Sequence, residues 1–134
     1  MKAISLWQPW ASAVVLGLKS YETRSWSTSY RGPIAIHAAQ RPPERTLQLD
    51  LFDAGVRNWG DLPLGGVIGV AELVAIVPTD GMDGYLSGLE LRMGDYTPGR
   101  FAWRMERIRP IAFVPCRGYQ RLWEWHLPTA QGKT

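Results

Sequence analysis

Val67-Ile-Gly-Val-Ala-Glu-Leu-Val-Ala-Ile-Val77 is apolar or glycine at every position except Glu72. A strand with one wet face alternates apolar and polar residues, so this run reads as a central strand covered on both faces. Downstream, Phe101 to Arg107 sets Phe101, Trp103 and Met105 against Ala102, Arg104 and Glu106, the pattern of a half-buried strand. Ile108 to Val114 reads as a further strand around Pro110. Between Val77 and Phe101, residues 78 to 100 are rich in glycine and are expected to form a mobile lid with one irregular helical turn.

Upstream, Arg31-Gly-Pro33 is a turn leading into a short strand over Ile34 to Ala39. Pro42-Pro43 opens a polar segment, in which Glu44 to Val56 reads as a helix with Leu47, Leu51 and Ala54 inward; Gly60 to Pro63 follows as a loop. The chain opens on a strand over residues 2 to 7. Pro9 then suits the first turn of a helix, where its missing N–H costs nothing. Ala11, Val14, Val15 and Leu18 keep the spacing of one buried helical face, and Gly17 is placed to end it. Residues 118 to 127 read as a docked turn carrying Trp123 and Trp125. Short strands with a helix after the first predict an α+β fold, a small mixed β-barrel with helices packed at its rim.

The chain has 134 residues, 46% of them hydrophobic and 20% charged. That is the size of one domain, assigned to residues 1–127, with 128–134 expected as a flexible tail. No apolar run approaches the roughly 20 residues of a membrane span. The N-terminus lacks the apolar core of a signal peptide, and the single cysteine, Cys116, has no partner for an internal disulfide, so a cytoplasmic location is expected. His37, Cys116 and His126 lack a metal-ligand spacing, and no metal or cofactor is expected. The domain has no heptads and carries no signal of oligomeric state. Net charge is only +3, but Arg92, Arg100, Arg104, Arg107, Arg109, Arg117 and Arg121 leave the C-terminal half arginine-rich. Such charge suits an anionic partner, although it is also what a solvated face carries.

The candidate site centres on Gly17-Leu-Lys-Ser-Tyr-Glu-Thr-Arg24. Lys19 falls at the helix exit. In a strand from Tyr21 to Trp26, Glu22, Arg24 and Trp26 share one face while Tyr21, Thr23 and Ser25 share the other. Ahead of it, Ser5-Leu-Trp-Gln-Pro-Trp10 places two indoles beside a carboxamide.

Ser5-Leu-Trp-Gln-Pro-Trp-Ala11, Gly17 to Arg24, Tyr30-Arg-Gly-Pro-Ile-Ala-Ile-His37, Gly69-Val-Ala-Glu72 and Gly99-Arg-Phe-Ala-Trp103 occur in this order. Over nearly its whole length the chain thereby resembles the ASCH-domain proteins of the PUA-like superfamily. That resemblance implies a PUA-like barrel. It also implies one of two functions: an RNA-binding module, or a small amidohydrolase that removes the acyl group from N4-acetylcytidine and related N4-acylated cytosines. In those hydrolases the motif resembles Lys-x-x-Thr-x-Arg with a further strand glutamate. Carried over, the lysine is Lys19, the arginine Arg24 and the glutamate Glu72, whereas Glu22 occupies the threonine position. Thr23 lies one residue later, and strand parity turns it away from Glu22 and Arg24.

The leading expectation is a metal-independent amidohydrolase for N4-acylated cytosine nucleosides. Water is activated by Glu22 or Lys19, protonated Lys19 steadies the oxyanion, and a buried Glu72 donates to the leaving nitrogen. A second scheme uses Thr23 as nucleophile and Lys19 as its base. Trp7, Trp10 and Trp26 are candidates to stack on the pyrimidine and Gln8 to read its edge, with Tyr30, Arg31 and His37 lining the mouth. The bland alternatives are a structural ion network for Lys19, Glu22 and Arg24, and a hydrogen-bonded core histidine for His37. RNA is the alternative partner, held through the same cleft with Arg100, Arg104, Arg107 and Arg109 on phosphates. Ribonuclease chemistry, with Lys19 and a glutamate activating a ribose hydroxyl, is the third reading.

Overall fold

A computed structural model describes residues 1–43 and 48–128 of the chain. Its elements in chain order are β1 (Lys2–Leu6), α1 (Trp10–Val15), β2 (Tyr21–Arg24), β3 (Gly32–Ala38), α2 (Gln48–Asp53), β4 (Gly66–Pro78), α3 (Gly88–Arg92), β5 (Phe101–Pro115) and β6 (Trp123–Glu124). Short 3-10 turns lie at Trp59–Asp61 and Met82–Gly84.

The strands form one six-stranded sheet in the order β2-β5-β4-β3-β1-β6, with β1 and β3 parallel and the other pairs antiparallel. The mixed α+β class is as expected. The barrel is not: the sheet is open, ending on β2 and β6, which do not pair with each other. Closure needs a matched stagger and strand length around the whole ring, and β6 pairs with β1 only through Lys2 and Ala3.

β4 does sit between β3 and β5, and Val67, Ile68, Val70, Ala71 and Leu73 are all buried on it. One face packs Ile68, Ala71, Leu73, Trp103 and Met105 against Ala11 and Val14 of α1, while the other covers Val67 and Val70 with Ala3, Ala35 and Trp125. The two strands expected over 101–107 and 108–114 are instead one bent strand. Arg107 takes φ of 50°, and the pairing with β4 slips between Val70 and Glu72, so a bulge bends the ladder without ending it.

α1 ends as its glycine predicts. Gly17 takes φ of 77°, its N–H donates to Val14 O at 3.0 Å and the Leu18 N–H to Ala13 O at 2.9 Å, a left-handed cap that aims the chain back toward the sheet. In α2, Leu51 is fully buried as expected, but Ala54 is exposed past the helix end; Leu47 lies outside the described residues. The segment expected as a lid carries α3 and packs Met82, Met93 and Tyr96 into the body of the protein. Among the described residues no helix is long and apolar enough to cross a membrane.

α1 reaches the sheet over Gly69. A Cβ there would lie 2.7 Å from Val15 Cγ2 and 2.9 Å from the Arg109 carbonyl. Gly69→Ala is therefore expected to lower stability by about 1–3 kcal/mol through overpacking. Urea unfolding checks this, and unchanged stability would show that α1 does not need this close approach.

Candidate functional site

The Gly17 cap delivers Lys19 to the interior. Its side chain is 1% exposed, and an ammonium so placed must be met by acceptors. Two are fixed: Lys19 Nζ donates to Glu22 Oε1 at 3.0 Å and to the Met93 carbonyl at 2.6 Å. The other oxygen of Glu22, Oε2, lies 3.1 Å from Arg24 Nε. The N–H there is misdirected, making the contact an ion pair without a hydrogen bond; Arg24 Nη2 donates instead to the Ser5 carbonyl at 2.8 Å. A lysine, a carboxylate and an arginine thus form one row on the side of β2 that faces β1 and α1.

Strand parity holds. Glu22 is paired with Trp103, which is paired with Ile76, and these belong to the face packed under α1. Thr23 is paired with Ala102 and Val77 on the opposite face, where its Oγ1 accepts the Asp95 N–H at 3.0 Å. Thr23 still borders the cleft where β2 meets the Gly94 turn, but its hydroxyl is engaged in holding that turn.

Glu72 does not join Lys19 and Glu22. It is paired with Pro33 and Glu106, while its neighbour Leu73 is paired with Met105 on the Trp103 face. Glu72 is consequently on the reverse side of the sheet, two strands from β2, and only half-buried. The sequence expectation of a fully buried glutamate in the site is corrected on both counts.

The row lies along a cleft walled by indoles. Trp7 and Trp10 face Glu22 and Arg24 in one recess of about 170 Å³, and Trp7, Trp10, Lys19, Glu22, Asp95 and Arg100 line an adjoining one of about 280 Å³. A third, of about 420 Å³, runs from Trp7 and Arg24 past Trp26 to Arg121. Trp7 is 50% exposed and carries the Arg41 guanidinium 3.6 Å above its ring; Arg121 lies 4.7 Å from the ring of Trp26. Trp26 itself stands edge-on to Trp103, whose indole N–H donates to the Trp26 carbonyl.

Gln8 is not at the cleft. It is 1% exposed, its Nε2 donates to Ser12 Oγ and to the Pro63 carbonyl, and its Oε1 accepts the Ser12 N–H, so the carboxamide is spent on the first turn of α1. His37 is likewise 2% exposed, with Nδ1 3.0 Å from Ser5 Oγ and Nε2 2.9 Å from the Cys116 carbonyl. It borders a separate recess beside Gly118. Tyr30 donates to the Pro33 carbonyl and Arg31 to the Thr28 and Tyr30 carbonyls, which secures the link between β2 and β3.

Several contributors escaped the sequence reading. Met93 acts through its carbonyl, which no residue type announces. Glu90 of α3 is buried, accepts the Ser20 N–H at 3.0 Å and the Tyr96 hydroxyl at 3.3 Å, and so ties α3 to the Lys19 turn. Its one legible trace is Ser87 three residues earlier, which caps the Glu90 N–H in the S-x-x-E pattern of a helix start. Burial and the Glu90 charge push the Tyr96 phenol well above its usual range, so it stays protonated and donates. Asp95 at the cleft edge is held below the usual carboxylate range by hydrogen bonds from the Thr97 side chain and backbone and by Arg100.

The ASCH domain profile matches residues 4–126. The chain belongs to the ASCH domain family. Among curated proteins it is similar to activating signal cointegrator 1 of Homo sapiens and of Mus musculus, each 37% identical over 78 residues. That segment is 53% of this chain and 13% of either relative, so the likeness concerns a small part of those proteins. Among solved structures, the ASCH protein of Zymomonas mobilis superposes with a TM-score of 0.54 at 25% identity, covering 85% of this chain and 72% of that one. A single-substitution variant of the same protein gives 0.55, with 74% of its chain covered. The ASCH assignment and the fold thus agree with the motifs from Ser5 to Trp103.

Glu22→Gln leaves Lys19 and Arg24 without their counter-charge, and breaking such a buried pair is expected to cost about 3–5 kcal/mol. In the double variant Lys19→Met with Glu22→Leu the loss should be smaller than in Glu22→Gln alone, because no buried ammonium is stranded. Urea denaturation of the parent and the two variants checks this, and a double variant no more stable than Glu22→Gln would show that a stranded ammonium carries no such cost.

Proposed function

We propose that this ASCH domain is a metal-independent amidohydrolase that removes acyl groups from N4-acylated cytosine nucleosides. The observation that carries the reading is the buried Lys19 ammonium, fixed by Glu22 and the Met93 carbonyl at the end of an indole-walled cleft.

An N4-acylcytosine amide has a tractable leaving group, since the departing nitrogen's electrons delocalise into the ring. In the proposed reaction Glu22 takes a proton from water, whose oxygen bonds to the acyl carbon. Lys19 donates a hydrogen bond to the oxyanion that forms, supplying charge where it develops. The C–N bond then breaks, and the nitrogen receives the proton from Glu22, leaving a carboxylic acid and cytidine. Arg24 orients Glu22 through the 3.1 Å charge contact. Trp7 and Trp10 hold the pyrimidine, base stacking of this kind contributing about 1–3 kcal/mol. The scheme uses neither Glu72, which stands on the other face of the sheet, nor the Thr23 hydroxyl, which borders the cleft and accepts the Asp95 N–H.

A second reading is a non-catalytic RNA-binding cleft, favoured by Arg41 over Trp7 and Arg121 over Trp26, which pair cations with stacking surfaces at the cleft edge. A binder of that kind loses affinity steeply with salt, whereas turnover of a nucleoside does not.

Purified protein given N4-acetylcytidine, with chelator present, is expected to release cytidine, followed by ultraviolet absorbance. Lys19→Ala should lower kcat by about 10²–10³-fold, as loss of an oxyanion donor does, with its folding verified by circular dichroism. A folded parent inert toward several N4-acyl groups would overturn the hydrolase reading and direct attention to salt-dependent RNA affinity.

A further inference from the structure

We propose that the preferred substrate of this cleft carries a phosphate on its sugar, and that the recess beside Trp26 and Arg121 is the site that takes it. The inference rests on the deacylase reading above and names the form of the nucleoside that binds best.

The three recesses of the cleft follow one another. The recess of about 280 Å³ that holds Lys19 shares Trp7, Trp10 and Glu22 with the one of about 170 Å³. That one in turn shares Trp7 and Arg24 with the recess of about 420 Å³, whereas the first and last have only Trp7 in common. The chemistry of the base then fixes a direction along this row. In a cytosine the acylated nitrogen on C4 and the glycosidic N1 stand at opposite ends of the ring. With the amide at Lys19 and Glu22 and the ring against Trp7, the sugar is aimed at the largest recess, and its phosphate arrives beside Arg121.

That end of the cleft suits an anion. Arg24, Gln120 and Arg121 line it, and among the described residues no carboxylate does. Both oxygens of Glu22 are taken by Lys19 and Arg24, which leaves Arg121 as the charge for a phosphate to meet. Arg121 is exposed, and its guanidinium lies 4.7 Å from the Trp26 ring, a stacking contact that steadies the planar fork and keeps its N–H edge available to a ligand. The opposite end is unsuited. There Asp95 borders the Lys19 recess with its carboxylate engaged by Thr97 and Arg100, and it repels a second anion.

The backbone points the same way. Arg121 takes φ of 59°, the left-handed region that glycine enters freely and a side chain disfavours. Glycine would make this turn with less strain, so what the position gains from arginine is its side chain at the mouth of the recess. A free nucleotide and a nucleotide within a strand present the same phosphate chemistry to it.

The test compares kcat/KM of the purified protein for N4-acetylcytidine, for its 5′- and 3′-monophosphates, and for a short oligoribonucleotide carrying one N4-acetylcytidine. At low salt a phosphorylated form is expected to be favoured over the nucleoside by roughly 10-fold, through KM and not kcat, as a charge-assisted phosphate contact provides. The preference should shrink as salt is raised and vanish in Arg121→Gly, a variant the left-handed backbone accommodates, with circular dichroism confirming the fold. Arg121→Lys, which keeps the charge and loses the fork, should retain part of it. A preference for a monophosphate that is lost in Arg121→Gly assigns the site to free nucleotides, and one confined to the oligonucleotide and lost in the same variant assigns it to the phosphates of a strand; either upholds the inference. Equal kcat/KM for the nucleoside and every phosphorylated form, or a preference that survives Arg121→Gly, overturns it and leaves the hydrolase reading standing. If the parent turns over none of these compounds, that reading fails, and tryptophan-fluorescence titration with cytidine and its monophosphates decides the site separately: tighter, salt-sensitive binding of a monophosphate that is lost in Arg121→Gly upholds it, and equal binding overturns it.

Discussion

A lysine ammonium buried at 1% side-chain exposure has to be met by acceptors that cannot drift, and much of this domain is arranged around that requirement. Glu22 supplies one acceptor from β2 and Met93 another from the turn after α3, elements distant in sequence. The left-handed cap at Gly17 aims the chain so that Lys19 enters the interior, and Glu90 fastens α3 to the Ser20 N–H, which keeps the Met93 carbonyl in place. Remove the ion pair and three segments lose their common anchor. The cost of burying the pair is met because both oxygens of Glu22 have a cation beside them.

The open sheet explains where the cleft is. β2 is an edge strand, and its outer side is covered by Trp7, Trp10 and the α3 turn instead of by another strand. On the face of β2 the Glu22 and Arg24 side chains share a cleft with Trp7 and Trp10, a flat amphipathic wall suited to a planar base. The bulge at Arg107 bends β5, allowing one long strand to pair with β2 at its start and with β4 along its length.

Much of the site was legible because parity is a local rule. That Glu22 and Arg24 share a face and Thr23 does not follows from the two-residue period of a strand, and the pairing bears it out. The Gly17 terminator and the central place of β4 were legible for similar reasons, since a cap and an uninterrupted apolar run are short-range patterns. Glu72 shows the limit of such reasoning. A charge alone in an apolar strand looks like a site residue, but a strand buried on both faces along one half has a partly open face along the other, and Glu72 stands there beside Glu106. Gln8 misled in a related way: next to two indoles it resembles a base reader, although its carboxamide is consumed by Ser12 and Pro63.

By itself, then, the sequence determined the α+β class, the faces of its strands, the cap that delivers Lys19 and the presence of a charged motif beside tryptophans. These depend on periods of two and 3.6 residues and on turn chemistry, all carried by neighbours along the chain. Only the tertiary structure decided that the sheet stays open, that Met93 and Glu90 complete the lysine's surroundings, and that Ser5 meets His37. Those outcomes turn on strand order, on a bulge and on backbone carbonyls brought together from far apart. A carbonyl looks the same at every position of a sequence, and which one a buried ammonium or imidazole will find is settled only by packing.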